Sequence, residues 1–319
     1  MAKRKKLKLK KNARKTCFYI IIFAFLSVFL VSKYKEYKYH QTNEYKLISI
    51  NYTLKETNKI EKKLTKEQVK EVIEKQKKDE LLLSLINEKY FLKKNLDKYK
   101  EYYKSNTNTS FSDIVAIINV GANEDWYYRT KDADISKKEL MLVNKFHLLK
   151  EDYDPGEIVK LEDKYSYGDV SANKVTHDAF VKMAEAAKKD NISLLATSGF
   201  RTYQRQDEIY REIRNVNGKI YADGFAARAG ASEHETGLSL DIFTYSATTD
   251  NFEGTDTYKW LDENADDYGF ILRYPKDKKY LTGYTPESWH FRYVGVETAK
   301  KVKELDITYD EYYAYYIDK

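Results

Sequence analysis

The N-terminal part of the chain joins a basic block to an apolar block, a pattern typical of a membrane anchor. Residues 17–31, CFYIIIFAFLSVFLV, are apolar and uncharged, and they directly follow the basic segment of residues 1–16. A run of this length is at the short end for a spanning helix and also fits the core of a signal peptide. No small-x-small cleavage site follows it; residues 33–37 instead bring lysines and tyrosines suited to a membrane interface. We therefore favour an uncleaved transmembrane anchor at residues 17–32 over a signal peptide or a buried core helix.

The distribution of positive charge predicts the orientation of this anchor. Nine Lys and Arg lie within residues 3–15, and they account for the formal net charge of +6. Because the excess is on the N-terminal side, residues 1–16 are expected to form a cytoplasmic tail and everything after residue 32 to lie outside. The sequence thus predicts a single-pass protein of the cell membrane. Its charge indicates the membrane as a partner, not nucleic acid.

A stalk with long helices is predicted after the anchor. Residues 33–61 are polar and aperiodic, which predicts a poorly ordered segment. Thr65 and Gln68 then make a capping box, and apolar residues recur at helical spacing to about Tyr103. The apolar seam is broken across residues 76–80. We therefore expect one or two long surface helices in this region.

The composition of the chain differs between its two parts, since all 12 glycines lie after residue 120. We place the limit near residue 108. We assign residues 33–108 to the stalk and residues 109–319 to one globular domain. Strands separated by long irregular loops favour an α+β fold with a small, mainly antiparallel sheet flanked by helices. The predicted strands are 113–120, 193–197, 238–243, 270–274 and 290–294, and the predicted helices are 172–189, 201–214 and 258–268, the last ended by Gly269.

Candidate metal chemistry is concentrated in two segments, residues 231–243 and 286–293. The single cysteine excludes a multi-thiolate zinc site, so any metal must be held by histidines and carboxylates. Only five histidines exist in the chain, and two of them lie in these segments. A hydrolytic zinc site needs three protein ligands and an open fourth position. His234, Asp241 and His290 are the predicted set, provided that the fold brings them together.

Glu287 is the candidate general base. It lies three residues before His290, in what the pattern predicts to be a tight connection. This spacing can keep the carboxylate off the metal and still within reach of an attacking water, whose proton it would take. Each residue alone has an ordinary alternative, because a single histidine is more often a surface or core residue than a ligand. The combination is far more specific than any of its members.

The two segments also carry a family resemblance. Ser232-Glu-His-Glu-Thr-Gly-Leu-Ser-Leu-Asp241 with Glu287-Ser-Trp-His290 resembles the paired signature of the VanY-like D-alanyl-D-alanine carboxypeptidases. These carboxypeptidases belong to a wider group of zinc peptidases that includes LdcB-like L,D-carboxypeptidases and Hedgehog-type domains. The resemblance implies the fold of that group. It covers roughly residues 138–300, and further matching segments are 142–145, 151–153, 198–202, 227–230 and 269–275.

The resemblance implies one Zn²⁺ per chain on the three candidate ligands, with Glu287 as base. It also implies that Arg201 stabilises the oxyanion or contacts substrate, a role that suits a fixed guanidinium. The alternative for Arg201 is a helix-start arginine paired to a carboxylate. Gln206 and Ser232 match positions that line the family's substrate groove. The segment Arg228-Ala-Gly-Ala231 departs from the family pattern and leaves the substrate preference open.

The expected activity is hydrolysis of the C-terminal D-alanine from peptidoglycan stem peptides. The first alternative is an L,D-carboxypeptidase that trims tetrapeptide stems to tripeptides, and the shared motifs do not separate the two. A wall-binding module without catalysis is a further alternative, against which the complete ligand set and Glu287 argue. A serine peptidase is disfavoured, because Ser171-Ala-Asn-Lys174 has no Lys-Thr-Gly partner. The oligomeric state is not predicted.

Overall fold

A computed structural model describes residues 11–245, 249 and 251–318, with only the backbone at residues 11 and 12. The first ten residues of the predicted basic tail lie outside the described residues. The chain divides into two compact units, Met1–Lys100 and Glu101–Lys319. The predicted domain limits at residues 108 and 109 stay predictions.

The described part of the first unit starts with the apolar helix α1, Lys11–His40. Its segment Ala13–His40 is long and apolar enough to cross a membrane, and its most apolar stretch is not buried against the rest of the protein. The predicted anchor at residues 17–32 lies inside this helix. Membrane insertion and orientation remain predictions.

The rest of the first unit corrects the predicted stalk. Residues 33–61 are ordered and largely helical, so the expectation of a poorly ordered segment is wrong, and the expected long helices are replaced by short ones. The helix starts are marked by caps, with capping boxes at Thr53 and Thr65, the second as predicted. Leu47, Ile60 and Leu82 are fully buried, because the short helices turn their apolar residues toward one another. The helices are α2 (Asn43–Ser49), α3 (Leu54–Lys63), α4 (Lys66–Glu74), α5 (Glu80–Asn87) and α6 (Leu96–Ser105), the last of which continues past Lys100.

The second unit has the predicted α+β architecture, with small, mainly antiparallel sheets among helices. The strands are β1 (Lys131–Asp132), β2 (His147–Leu148), β3 (Ile158–Lys160), β4 (Ser171–Asn173), β5 (Leu195–Ser198), β6 (Ser239–Phe243), β7 (Phe270–Tyr274) and β8 (Glu287–Tyr293). The helices are α7 (Phe111–Val120), α8 (Lys174–Lys189), α9 (Tyr203–Asn217), α10 (Lys219–Phe225), α11 (Asp256–Asn264), α12 (Lys279–Thr282), α13 (Val296–Leu305) and α14 (Tyr309–Tyr312), the last followed by a π-helical turn, Tyr313–Ile317.

A four-stranded antiparallel sheet in the order β5-β6-β8-β7 organises this unit. Its largest apolar core includes Phe180 and Met183 of α8, Leu240 of β6 and Phe291 of β8. Two shorter pairs, β1 with β2 and β3 with β4, lie outside this sheet. The central strands β6 and β8 pair so that Asp241 and His290 are direct partners in the register. The sheet therefore places two of the candidate ligands side by side.

The clearest differences between the predictions and the structure concern three elements. The predicted strand at residues 113–120 is wrong: helix α7 occupies this region, capped by Ser110 and ended by Gly121 at a φ of 82°. A short uninterrupted apolar run has no period that distinguishes a strand from a buried helix. The helix predicted from residue 172 begins at Lys174, after β4. The strand predicted from residue 290 begins at Glu287, so the candidate base lies on β8 and not in a tight connection.

Candidate active site

His234 lies in a tight 3-10 turn, Glu233–Thr236, that leads into β6. The turn is closed by Gly237 at a φ of 68°, a left-handed conformation that favours glycine. The buried imidazole places Nδ1 2.7 Å from the carbonyl oxygen of Gly199. Because a carbonyl only accepts, Nδ1 carries the proton and donates it. The lone pair of Nε2 is therefore free to bind a cation.

Asp241 and His290 complete a cluster with His234. The Oδ1 atom of Asp241 lies 3.5 Å from Nε2 of His234 and 3.1 Å from Nδ1 of His290. His290 is buried, and its other nitrogen, Nε2, lies 3.5 Å from Oε2 of Glu233. His234 thus presents Nε2 to the cluster, while His290 presents Nδ1.

The geometry and chemistry of this donor set fit a zinc ion. One ligand atom from each of the three residues lies within 4.8 Å of the other two. Ligand atoms about 2.1 Å from a tetrahedral ion are about 3.4 Å apart, close to the two separations measured from Asp241. Two imidazoles and a carboxylate are also a usual zinc set.

The pKa values indicate that Asp241 and His290 are charged and His234 is neutral when no cation is held. Burial disfavours the charged form of Asp241, but the two neighbouring histidines outweigh it and hold the pKa of this carboxyl well below its usual range. Burial also opposes a charge on His290, yet Asp241 and Glu233 raise the pKa of His290 to about 9. Burial, with nearby Arg201, lowers the pKa of His234 to about 4. A cation held here would replace the His290 proton as the counter-charge to Asp241.

Glu287 lies on the same side of β8 as His290, although residues three apart on a regular strand face opposite sides. The strand is irregular between the two residues, because β7 pairs Leu272 with Phe291 and then Tyr274 with Glu287, which leaves three β8 residues opposite one β7 residue. The Oε2 atom of Glu287 is 3.7 Å from Nδ1 of His290. Burial raises the pKa of Glu287 to about 7. A carboxylate with a pKa near neutrality is suited to take up and release a proton.

Arg201 lies between β5 and α9, with its guanidinium held over the cluster. Nη2 donates to Oγ of Ser198 at 2.6 Å and lies 3.5 Å from Oδ2 of Asp241. Nη1 donates to Oε1 of Gln206 at 3.3 Å. The arginine therefore precedes a helix and pairs with a carboxylate, as the alternative prediction had it, but that carboxylate belongs to the candidate metal site.

Gln206 and Ser232 both border the cleft. Gln206 is buried and uses its amide nitrogen to donate to the carbonyl oxygen of Ala227 at 2.7 Å, so both ends of its side-chain amide are engaged. The backbone N–H of Ser232 donates to Glu235 at 3.4 Å. Gln206 is thus placed to orient Arg201, while the hydroxyl of Ser232 accepts from the backbone N–H of Glu235 in a capping box.

The cluster opens into a cleft of about 230 Å³. Of its wall residues, Trp289 was expected to pack beneath the site, whereas the tyrosines and aliphatic residues carry no motif of their own and were not predicted from the sequence. Tyr284 and Tyr274 are buried, and Tyr274 lies with its ring 5.0 Å from that of His290. The other apolar residues that line the cleft are Ile209, Ile213, Phe225, Ala226, Ala227 and Trp289.

The chain is similar to known carboxypeptidases. The family model described as VanY, D-alanyl-D-alanine carboxypeptidase, matches residues 169–296. YodJ of Bacillus subtilis (strain 168), which carries the name of a carboxypeptidase, is 39% identical over 181 residues, 54% of this chain and 66% of that protein. A D-alanyl-D-alanine carboxypeptidase of Enterococcus faecalis (strain ATCC 700802 / V583) is 34% identical over 194 residues, 57% of this chain and 68% of that protein. The match thus spans about two thirds of the length of these relatives.

A solved structure shares the fold of this region. The LdcB LD-carboxypeptidase, whose structure is described as revealing the basis of peptidoglycan recognition, is 36% identical and superposes with a TM-score of 0.55. The superposition covers 58% of this chain and 90% of that chain.

Proposed function

The chain belongs to the family of VanY-like D-alanyl-D-alanine carboxypeptidases, and on that premise we propose that it is a zinc-dependent carboxypeptidase that removes the C-terminal D-alanine from peptidoglycan stem peptides. The observation that carries this proposal is the placement of Glu287 beside the cluster of His234, Asp241 and His290, 3.7 Å from Nδ1 of His290. A proton-accepting carboxylate next to three metal ligands is an arrangement suited to metal-dependent hydrolysis of a peptide bond.

In this proposal His234 Nε2, a carboxylate oxygen of Asp241 and His290 Nδ1 hold the zinc. When bound, zinc would polarise the scissile carbonyl and acidify the attacking water. Glu287 takes a proton from that water as its oxygen bonds to the carbonyl carbon, and returns the proton to the amine nitrogen as the carbon–nitrogen bond breaks. The products are free D-alanine and a stem shortened by one residue.

Arg201 is proposed to face the carbonyl oxygen of the scissile bond. Its guanidinium is held by Ser198 and Gln206 before substrate binds, so it needs no reorganisation when negative charge develops on that oxygen. We assign Gln206 to orienting this guanidinium and Ser232 to the wall of the substrate groove.

An L,D-carboxypeptidase activity on tetrapeptide stems is the second candidate. It is favoured by the likeness to LdcB, which is named an LD-carboxypeptidase. Both activities use the same residues and differ only in the bond presented to them.

The test is product analysis with two substrates. The full chain in mild detergent is incubated with pentapeptide and tetrapeptide stems, with and without a chelator, and the released D-alanine is measured. Release from the pentapeptide that the chelator stops supports the first proposal, while release from the tetrapeptide alone supports the second. Chelator-insensitive release, or full activity in Glu287→Gln, would overturn both. Glu263→Gln, at an exposed position of α11, is the matched control.

We also propose that residues 17–32 anchor the protein in the cell membrane, with residues 1–16 in the cytoplasm and the second unit outside, beside the wall. The support is the apolar α1 and the basic residues that precede the run. Protease added to intact cells is expected to digest the second unit. Protection of that unit in intact cells would reverse the proposed orientation.

A further inference from the structure

Glu233 is a buried carboxylate directly behind one of the candidate ligands. It is 1% exposed and lies between Ser232 and His234 in the sequence. Its Oε2 atom faces Nε2 of His290 at 3.5 Å and accepts from Oγ of Ser239 at 3.3 Å. Within the described residues, the buried Nε2 of His290 has no well-formed hydrogen bond. This N–H therefore has Glu233 as the acceptor in front of it.

Two fully buried arginines hold the other oxygen of Glu233. Oε1 lies 2.7 Å from Nε of Arg273 and 3.0 Å from Nη1 of Arg292. Arg292 is fixed in turn, because its Nη2 donates to the carbonyl oxygens of Glu139 and Met141, both at 3.0 Å. Glu233 is thus restrained from the side opposite His290.

The same network continues into the C-terminal segment. Nη1 of Arg273 donates to Oδ2 of Asp310 at 2.6 Å, and Nδ2 of Asn144 donates to Oδ1 of Asp310 at 2.8 Å. Two carboxylates and two guanidiniums balance in charge, as a buried cluster requires. Asp310 lies on α14, beyond the region of residues 169–296 that the family model matches.

The C-terminal segment is firmly attached at this place. Thr308 caps α14 in a capping box with Glu311. The hydroxyl of Tyr309 donates to the carbonyl oxygen of Leu140 at 2.8 Å, and its ring lies 5.8 Å and 5.7 Å from the two buried guanidiniums. Asp310 is therefore held against Arg273 by its own helix.

We propose that Glu233 and Asp310 are positioning residues for the metal site: Asp310, through Arg273, holds Glu233 so that it receives the Nε2 proton of His290. This fixes the His290 ring with Nδ1 toward the metal. Ligating histidines commonly donate their second N–H to a carboxylate, and loss of that carboxylate weakens metal binding. The inference rests on the metal site of the proposed function and extends the site to a segment outside the matched region.

The test measures zinc retention by the full chain. Glu233→Gln and Asp310→Asn are compared with the wild type by competition against a chromophoric chelator near neutral pH. We expect the zinc dissociation constant to rise about 10- to 100-fold in Glu233→Gln, with a smaller rise in Asp310→Asn. The control is Asp306→Asn, since Asp306 is exposed and its left-handed φ of 51° is tolerated by Asn.

Two further measurements separate positioning from general stability. A merely structural role would lower the unfolding temperature of the metal-free variants and leave the zinc dissociation constant of the folded protein unchanged; that result would overturn the inference. If Glu233→Gln does not fold, the zinc dissociation constant of Asp310→Asn is the deciding measurement. The nitrogen NMR signals of the His290 ring then give a second, independent measurement. In the zinc-loaded wild type we expect the proton on Nε2, and a proton on Nδ1 would refute the assignment.

A double variant tests whether the two residues act in one chain of contacts. If Asp310 acts through Glu233, the combined variant should bind zinc no more weakly than Glu233→Gln alone. Additive losses would show that Asp310 acts by another route and would overturn its assigned role. Because the readout is zinc binding, a wild-type protein that binds zinc but hydrolyses neither stem would defeat the proposed function and leave this inference standing.

Discussion

Replacing Glu287 by Gln is expected to abolish turnover and, in the metal-free protein, to stabilise the fold at pH 8. The side chain is 18% exposed, and burial raises its pKa from 4.5 to about 7. The glutamine has nearly the same shape and cannot ionise, so the variant removes a buried negative charge. Catalysis would thus depend on a group that destabilises the fold at the pH where it works as a base.

The magnitude follows from the pKa difference between the folded and unfolded protein. Below about pH 4.5 the carboxyl is protonated in both the folded and the unfolded protein, and it does not lower the free energy of unfolding. As the pH rises toward 7 the unfolded chain loses its proton first, so the free energy of unfolding falls. The shift to about 7 corresponds to about 3 kcal/mol, since one pKa unit is worth about 1.4 kcal/mol. The loss is complete once the pH exceeds the folded pKa.

Urea unfolding of the full chain in mild detergent with a chelator present measures this effect. All three tryptophans, Trp126, Trp260 and Trp289, lie in the second unit, so their fluorescence reports on the unit that contains the site. We expect wild type and variant to differ little at pH 4.5 and to diverge to about 3 kcal/mol by pH 8. Glu263→Gln should follow the wild type throughout. Parallel curves for wild type and Glu287→Gln would refute the reasoning, because they would mean that the buried carboxyl keeps an ordinary pKa.

Three further predictions concern catalysis. With metal present, kcat/KM on a stem peptide should fall toward low pH, about tenfold per unit below the pKa of Glu287, because the base must be deprotonated; a flat profile from pH 5 to 8 would contradict its role. Arg201→Lys should lower kcat about 10²- to 10³-fold, since lysine does not reproduce the paired contacts to Ser198 and Gln206; an unchanged kcat would exclude Arg201 as the oxyanion donor. Gln206→Leu should lower kcat by releasing Arg201, whereas the exposed Gln204→Leu should not; equal effects of the two would show that Gln206 does not orient the arginine.

The sequence predicted the second unit better than the first. Strands β6 and β7 and the stop at Gly269 were found because alternation and turn residues are local signals. Residues 33–61 were misjudged because they hold the polar end of α1 and then two helices of seven and ten residues, which show too few turns for a clear period. The strand predicted in place of α7 failed for a related reason, since its continuous apolar run fits both forms.

The candidate site was predicted unevenly, for a similar reason. His234, Asp241, His290 and Glu287 could be identified by residue type and order, because ligand and base chemistry belongs to the residue itself. Glu233 lies between Ser232 and His234 in the sequence but was not identified as a site residue. Acidic residues are common on surfaces, and nothing in the sequence showed that this one would be buried.

The sequence by itself determined the candidate chemistry of this protein: the donor set, the base and the order of the segments that carry them. Only the tertiary structure decided which nitrogen each histidine presents, that Glu287 lies beside His290, and that Asp310 reaches the site through Arg273. These features depend on strand register, a bulge and the packing of α14 against the sheet. They join residues far apart in the chain, and such contacts produce no periodic pattern in the local sequence from which they could be predicted.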